Sequence, residues 1–366
     1  MPDELISFAR GAPSADILPA EPVREAAQRA LADDWQRALS YGTGVGHPGL
    51  RDWIADRHGL PPESVMVTNG SLEAGAMLFQ HLVESGDRVI VEQPSYDRTL
   101  LLLERLGAER VGVGLEADGI DVHELEQEVG RFPIGLAHVI PNFHNPAGCT
   151  LSASKRERLV QLAAEHGFRI FEDDPYRELS FEEAPPPTML SLDGADRVIH
   201  SSSFSKTVSP GVRVGYLAGP EEEIKKLAKR ASEIYISPNM LAESIVWELC
   251  RSGALDENIA FVKGALRDRR DALVEALGEH LPEAEFVVPG GGYFLWLTLD
   301  DDVDTTELLA GALEEKVAFV AGPDFMLDGG RSSLRLSFAS VPVDRIGEGV
   351  ARIARALERI RAASPA

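Results

Sequence analysis

Residues 201–215 read SSSFSKTVSPGVRVG and directly follow the apolar pair Val198 and Ile199, which is typical of the end of a buried strand. This stretch places Lys206 among small hydroxyl residues, and Arg213 follows seven positions later. The other six lysines of the chain lie in charged, helix-like surroundings, where a solvated surface amine is the ordinary interpretation. A lysine in a loop of small residues at a strand end loses its proton more readily and can act as a nucleophile or a base. From this stretch alone, a Ser-rich surface loop is the alternative.

The chain alternates strand-like and helix-like segments from residue 64 onward, which predicts an α/β fold with a mostly parallel sheet and helices on its faces. Five strand-like runs end in polar or aromatic residues: 65–68, 89–91, 138–140, 168–171 and 198–199. In an open parallel sheet such ends face one crevice, where ligands bind. We therefore expect an anion site, an aromatic ring, an amide, a carboxylate, a phenol and an amine to converge there.

The end of the first run, Asn69-Gly70-Ser71, opens a helix-like segment. A glycine followed by a serine at a helix start can bind an anion, because free backbone N–H groups and the helix dipole point at the same place. An ordinary helix cap is the alternative. Loose G-x-G patterns near Gly42 and Gly112 lack the strand or helix that a dinucleotide site requires, and we discard both.

The pattern S-x-S-K-T-x-x-P-G-x-R-x-G at residues 203–215 resembles the cofactor-lysine signature of fold-type I pyridoxal-phosphate (PLP) enzymes. It is most similar to the class I/II aminotransferases, in the 2-aminoadipate and kynurenine aminotransferase-like branch, and the resemblance extends from residue 6 to about residue 340. It implies a large domain with a mostly parallel sheet flanked by helices, plus a smaller α+β C-terminal domain. It also implies that Lys206 forms the Schiff base with PLP, while Ser203, Ser205 and Arg213 hold the phosphate.

The same resemblance assigns residues around the cofactor ring. Asp173 matches the partner of the ring nitrogen, Asn145 and Tyr176 match donors to the phenolic oxygen, and Tyr96 matches the aromatic side chain that stacks on the ring. A carboxylate facing that nitrogen keeps it protonated, which makes the ring an electron sink. The structural alternatives are an acidic cap at a strand end for Asp173 and its neighbour Asp174, and a boundary residue for Tyr96.

Other positions match the phosphate loop and the substrate site of that family. Gly70, Ser71 and Leu72 correspond to the phosphate loop, and Tyr41 corresponds to a tyrosine that reaches the cofactor phosphate of the partner subunit. The substrate contacts implied are Arg335 for the α-carboxylate, Asn145 and Gly11. A guanidinium suits a two-point grip on a carboxylate, although an exposed side of an edge strand is the alternative for Arg335.

One departure from the family pattern lies just after Ser71. The branch usually has two glutamines there, whereas this chain has Leu72 and Glu73. Leu72 can still offer its backbone N–H to a phosphate. A carboxylate beside a phosphate is repulsive, so we expect the Glu73 side chain to point away.

The length of 366 residues predicts one large and one smaller domain. We expect an N-terminal arm and helix in residues 1–40, a large PLP-binding domain in residues 41–236 and a small C-terminal domain in residues 237–366. The formal charge of −23 argues against nucleic acid or an anionic membrane as a partner. Two cysteines, Cys149 and Cys250, give no disulfide framework, and no motif predicts a metal site; a cytoplasmic enzyme is expected.

Together these features predict a PLP-dependent aminotransferase that moves an amino group from an L-amino acid to a 2-oxo acid. Lys206, Asp173 and Tyr176 are the candidate catalytic residues, and a homodimer is expected from the resemblance. A PLP-dependent lyase or oxidase of a specialised pathway is the alternative, since such reactions begin with loss of the same α-proton. A cofactor-binding transcriptional regulator is disfavoured by the acidic charge.

Overall fold

The computed structural model describes residues 4–192 and 194–363, so the outermost residues of the predicted terminal units lie outside the described residues. Within this part of the chain, no helix is long and apolar enough to cross a membrane. The described residues form fourteen strands, in chain order: β1 Ile6–Ser7, β2 Val65–Thr68, β3 Arg88–Gln93, β4 Glu109–Glu116, β5 Gly119–Ile120, β6 Leu136–Val139, β7 Arg169–Asp173, β8 Val198–Ser203, β9 Gly215–Ala218, β10 Glu285–Phe286, β11 Phe294–Thr298, β12 Val317–Ala318, β13 Val320–Ala321 and β14 Ser333–Ser337.

The same described residues form twelve α-helices: α1 Ala20–Asp33, α2 Trp35–Ala38, α3 Pro48–His58, α4 Ser71–Leu82, α5 Asp97–Arg105, α6 Val122–Arg131, α7 Ala153–His166, α8 Glu221–Tyr235, α9 Met240–Ser252, α10 Ala254–His280, α11 Thr305–Glu314 and α12 Val343–Ala363. Short 3₁₀ turns lie at Ala15–Ile17, Pro62–Ser64, Arg177–Leu179, Met189–Ser191, Pro210–Val212 and Gly322–Phe325. Helix ends follow local chemistry: α3 starts with Pro48, and Gly59 ends it in the left-handed conformation with a φ of 64°.

The large sheet has eight strands in the order β2-β9-β8-β7-β6-β3-β4-β5. Strands β4, β3, β6, β7 and β8 pair in parallel, while β9 runs antiparallel to both β8 and β2. The strand β2 therefore points the same way as β8, and the five strand ends singled out in the sequence lie at one edge. The predicted α/β fold with a mostly parallel sheet is confirmed.

A smaller antiparallel sheet in the order β10-β11-β14-β13 forms the C-terminal α+β part of the molecule. Its apolar face packs with the long helices α10 and α12 in a core that includes Leu266, Leu295, Leu336 and Ile353. The N-terminal arm joins this part, because β1 pairs in parallel with β12. The domain bounds at residues 40 and 236 stay a prediction.

The break between the helices α8 and α9 has a local backbone cause. The helix α8 ends at Tyr235, and the next residue, Ile236, has a φ of 68° that an α-helix cannot contain. Asn239 then starts α9, because its side-chain oxygen accepts a hydrogen bond from Ala242 N at 3.1 Å. This connection brings Asn239 next to the helix start at Ser71, since Asn239 N donates to Asn69 Oδ1 at 3.0 Å.

Candidate active site

A cavity of about 440 Å³ lies at the shared edge of the strand ends, beneath the N-terminal arm and beside the small sheet. It is lined by every candidate site residue from the sequence except Gly70 and Tyr41: Gly11, Ser71, Leu72, Tyr96, Asn145, Asp173, Tyr176, Ser203, Ser205, Lys206, Arg213 and Arg335. The predicted convergence of these groups on one crevice is therefore present in the structure.

Lys206 follows β8 and projects into the cavity, where its Nζ donates a hydrogen bond to Gly11 O at 2.7 Å. Its Nζ lies 5.0 Å from the ring centre of Tyr293 and 5.5 Å from that of Tyr176. Burial, together with the positive charges of Arg335 and Arg213, lowers the pKa of Lys206 to about 8. The neutral form, which a nucleophile or a base requires, is therefore far more populated near physiological pH than for an ordinary lysine, although the protonated form still dominates below pH 8.

Asp173 ends β7 on the wall of the cavity. Its Oδ1 is buried and has no hydrogen-bond partner among the described residues, while its Oδ2 lies 3.6 Å from His138 Nε2. A buried carboxylate oxygen without a partner is costly. Asp174 Oδ1 is also without a partner among the described residues, but only Asp173 lines this cavity, so Asp173 is the one that can accept from a ligand donor there. The neighbouring Asp174 is fully buried, and its Oδ2 accepts a hydrogen bond from Asn142 Nδ2 at 2.7 Å.

Arg335 lies on β14, between β11 and β13, so the interpretation as an exposed edge residue is wrong. Its side chain is buried, with Nη1 donating to Asn145 Oδ1 at 3.0 Å and Nη2 donating to Ala9 O at 2.7 Å. The guanidinium carbon lies 4.4 Å from the ring centre of Phe294 and 4.8 Å from that of Phe325. These aromatic walls hold the guanidinium at the cavity surface.

An anion-binding corner forms where α4 begins. Gly70 has a φ of 95°, and a Cβ there would lie 2.5 Å from Arg213 Nη2, so only glycine lets the guanidinium approach this backbone. Arg213 Nη2 donates to Asn69 O at 3.2 Å, and Nη1 lies 3.5 Å from Ser205 Oγ. A guanidinium, a hydroxyl and a helix start together suit a phosphate.

Two phenols line the cavity beside Asp173. Burial raises the pKa of Tyr96 to about 12, and burial near Tyr96 raises that of Tyr176 well above its ordinary value. Both phenols are therefore neutral hydrogen-bond donors at physiological pH.

Leu72 and Glu73, the two residues that depart from the family pattern after Ser71, point in different directions. Leu72 lines the cavity, and its side chain is 42% exposed. The Glu73 carboxylate turns back onto the loop, accepting a hydrogen bond from Asn69 N at 2.8 Å. The expectation that Glu73 points away from the anion-binding corner agrees with this contact.

Tyr41 lies outside the cavity. Its side chain is 83% exposed, in a surface depression that also contains Leu39, Pro238 and Met240. Within one chain it does not reach the residues around Lys206, and its assignment to a partner subunit stays a prediction.

Sequence reasoning missed several residues of the cavity wall. Phe294 and Phe325 flank Arg335, and Arg98, the second residue of α5, also lines the wall. His138 lies behind Asp173. Neither His138 nor Phe294 has a distinctive sequence signal, because all four residues of β6 are buried and Phe294 is one of several apolar residues in β11. Phe325 lies in an irregular segment with no periodic signal.

The comparisons with known proteins identify the class. The family model for aminotransferase class I and II matches residues 3–353, and the chain belongs to this family. It is therefore a PLP-dependent aminotransferase, which confirms the predicted enzyme class, the fold-type I architecture and the cofactor.

Individual relatives are similar over nearly their whole length. A 2-aminoadipate transaminase from Thermus thermophilus is 35% identical, with 98% of this chain and 91% of the relative covered. Aromatic-amino-acid aminotransferase 1 from Thermococcus litoralis is 32% identical, with 97% of this chain and 88% of the relative covered. The crystal structure of Pyrococcus horikoshii kynurenine aminotransferase in complex with PMP, at 31% identity, has a TM-score of 0.94 and covers 98% of this chain and 92% of its own.

Proposed function

We propose that the cavity around Lys206 holds PLP and transfers the amino group of an L-amino acid to a 2-oxo acid. The observation that carries this proposal is the convergence, in one 440 Å³ cavity, of an amine with a lowered pKa, an unpartnered carboxylate oxygen and an anion-binding corner. These three groups fit the aldehyde, the ring nitrogen and the phosphate of PLP respectively.

Around the ring, we assign Asp173 Oδ1 as the acceptor for the protonated ring nitrogen, since that oxygen is buried and has no other partner among the described residues. A carboxylate at that position stabilises the positive charge of the pyridinium. Asn145 and Tyr176 are assigned as donors to the phenolic oxygen, and Tyr96 as the stacking ring. The phosphate is assigned to Gly70, Ser71 and the Leu72 backbone, together with Ser203, Ser205 and Arg213.

When bound, PLP supplies an electron sink that stabilises the carbon from which the α-proton leaves. Arg335 binds the α-carboxylate of the donor, and Asn145 is held beside it by the 3.0 Å hydrogen bond from Arg335 Nη1. Lys206 Nζ would act as the general base that takes the α-proton and as the acid that gives a proton back. In the structure, Arg335 donates a hydrogen bond to the carbonyl oxygen of Ala9, and Lys206 donates one to that of Gly11. The N-terminal arm therefore covers the groups that we assign to the substrate.

The test follows the cofactor absorbance of purified, PLP-loaded protein mixed anaerobically with a panel of amino acids. We expect bleaching with one equivalent of 2-oxo acid released, reversed on adding a 2-oxo acid. Catalytic release of ammonia, carbon dioxide or a side-chain fragment without an acceptor would contradict transamination and support the lyase alternative. Oxygen-dependent turnover after re-aeration would support the oxidase alternative.

The pH dependence of PLP capture tests the lysine assignment. Because the pKa of Lys206 is lowered to about 8, the amine is mostly protonated below pH 8 and mostly neutral above it. The rate at which apo protein captures PLP covalently should rise by up to about tenfold per pH unit below pH 8 and level off above it. Stopped-flow absorbance between pH 6.5 and 9.5 measures this rate. A rate that keeps rising through pH 9.5 would show that an unperturbed lysine reacts.

Of the guanidiniums that line the cavity, Arg335 and Arg98 are expected to contact different parts of the amino acid donor. Arg335 is buried, whereas Arg98 lines the cavity with its side chain 56% exposed and its Nε 3.5 Å from Asp97 Oδ2. We propose that Arg335 binds the α-carboxylate of every donor and that Arg98 attracts a side-chain carboxylate. Arg335→Lys should raise KM for all donors about 10–100-fold, because a two-point grip is lost. Arg98→Gln should raise KM about three- to tenfold for glutamate and 2-aminoadipate, with phenylalanine unchanged. Equal effects of Arg98→Gln on all three donors would contradict the second role.

The exposed surface around Tyr41 supports a homodimer. Trp35, Leu39, Tyr41 and Ile236 are all more than half exposed, and Leu39 and Tyr41 lie in one surface depression. Large exposed apolar side chains that cluster are typical of surfaces that bind another protein. We propose that a second copy covers this surface and that Tyr41 reaches the partner's phosphate site. Sedimentation velocity should give twice the mass of one chain, and a monomer at micromolar concentration would contradict the proposal.

The buried, unpaired Cys149 and Cys250 support a cytoplasmic location, which fractionation of the source cells would test.

A further inference from the structure

We infer that Glu73 is a positioning residue for the cofactor phosphate and acts through Asn69 and Arg213. This inference rests on the proposed placement of the phosphate at the start of α4. The observation that carries it is that the carboxylate at position 73, one helical turn beyond Asn69, is bound to the loop that forms the anion-binding corner.

Both oxygens of the Glu73 carboxylate are engaged by a single residue. Oε2 accepts a hydrogen bond from Asn69 N at 2.8 Å, and Oε1 accepts one from Asn69 Nδ2 at 3.2 Å. This two-point contact closes the turn ahead of α4, much as the glutamate of a capping box accepts from a backbone N–H before the helix. It fixes both the backbone and the side chain of Asn69.

Asn69 in turn bonds to two other parts of the site. Its backbone oxygen accepts a hydrogen bond from Arg213 Nη2 at 3.2 Å, and its Oδ1 accepts one from Asn239 N at 3.0 Å. All four polar groups of Asn69 are therefore used. The chain of contacts runs from Glu73 through Asn69 to the guanidinium that we assign to the phosphate, and it also ties the loop to the start of α9.

Two effects of the Glu73 charge oppose each other. A carboxylate close to a phosphate weakens phosphate binding by repulsion, whereas a carboxylate that orders Asn69 and Arg213 strengthens it. The geometry favours the second effect, because the carboxylate is turned toward Asn69 and its two oxygens are already occupied by N–H donors. The two effects predict changes of opposite sign when Glu73 is replaced, so an affinity measurement separates them.

The test compares two probes that differ only in the phosphate and form no covalent bond with Lys206: pyridoxamine 5′-phosphate and pyridoxamine. Their dissociation constants for the apo protein are measured by calorimetry or fluorescence. We expect Glu73→Ala to weaken pyridoxamine 5′-phosphate about tenfold and pyridoxamine less than about twofold. Glu73→Gln should weaken the phosphorylated probe about threefold, because the amide oxygen still accepts from Asn69 N while the amide nitrogen cannot accept from Nδ2.

Gln80→Ala is the matched control, since Gln80 is exposed on the same helix and contacts Arg230 rather than the loop. It should leave the preference for the phosphorylated probe unchanged. The inference would be overturned if Glu73→Ala kept the wild-type ratio of the two dissociation constants, or if it favoured pyridoxamine 5′-phosphate more strongly than the wild type does. A wild-type protein that binds both probes with equal affinity would also overturn it. Should Glu73→Ala fail to fold, Glu73→Gln carries the same comparison. Transamination by the wild-type protein is decided by the amino acid panel, so the proposed function can stand while this inference fails.

Discussion

Lys206→Ala should reduce transamination by at least about 10³-fold, because it removes both the covalent attachment of PLP and the base that moves the α-proton. No other described lysine lines the cavity, so the chain offers no substitute amine there. PLP should still bind to the variant through its phosphate and ring contacts. The measurement is single-turnover formation of 2-oxo acid, with cofactor binding followed separately by fluorescence.

Lys225→Ala is the matched control for this variant. Lys225 lies on the exposed surface of α8, where it pairs with Glu221 and Glu222, and its loss should leave turnover within about twofold of wild type. Reduced turnover in both variants would indicate a general loss of folded protein. Full activity in Lys206→Ala would show that the central assignment of the site is wrong.

The sequence predicts which residues lie at the carboxyl ends of the parallel strands better than it predicts the contacts of the N-terminal arm. The strand ends at Thr68, Asp173 and Ser203 can be located because each strand is an apolar run followed at once by polar residues. Parallel strands bring such ends to one edge whatever the loops between them do. The position of Lys206 beside Asp173 and Arg213 follows from that geometry.

The contacts of the arm could not be predicted in the same way. Gly11 O accepts from Lys206 Nζ, although 195 positions separate the two residues. This contact depends on the pairing of β1 with β12, and each of those strands has only two residues, too few to show a period. The Glu73–Asn69 contact was equally hidden, because sequence comparison with the family shows only a glutamine replaced and gives no side-chain direction.

Asp173→Asn should lower kcat by at least about 10²–10³-fold with little change in the affinity for pyridoxamine 5′-phosphate. The reason is electrostatic, since a neutral amide does not stabilise a proton on the ring nitrogen as a carboxylate does. His138, 3.6 Å from Asp173 Oδ2, cannot replace that negative charge, because an imidazole is either neutral or positively charged. The half-reaction with an amino acid donor, followed by rapid mixing, measures the loss.

Asp174→Asn is the matched control, because Asp174 is the adjacent carboxyl group; it is fully buried, whereas the Asp173 side chain is 15% exposed. Burial raises the pKa of Asp174 to about 6, and its Oδ2 is bound by Asn142, so we expect Asp174→Asn to change thermal stability and to leave kcat within about fivefold. A PLP analogue methylated on the ring nitrogen carries a fixed positive charge and needs no carboxylate to keep it. That analogue should restore part of the activity of Asp173→Ala, in which the shorter side chain leaves room for the methyl group. If the methylated analogue instead restored activity to Asp174→Asn and not to Asp173→Ala, Asp174 rather than Asp173 would be the carboxylate that stabilises the positive charge of the ring nitrogen. The roles assigned to Asp173 and Asp174 would then be exchanged.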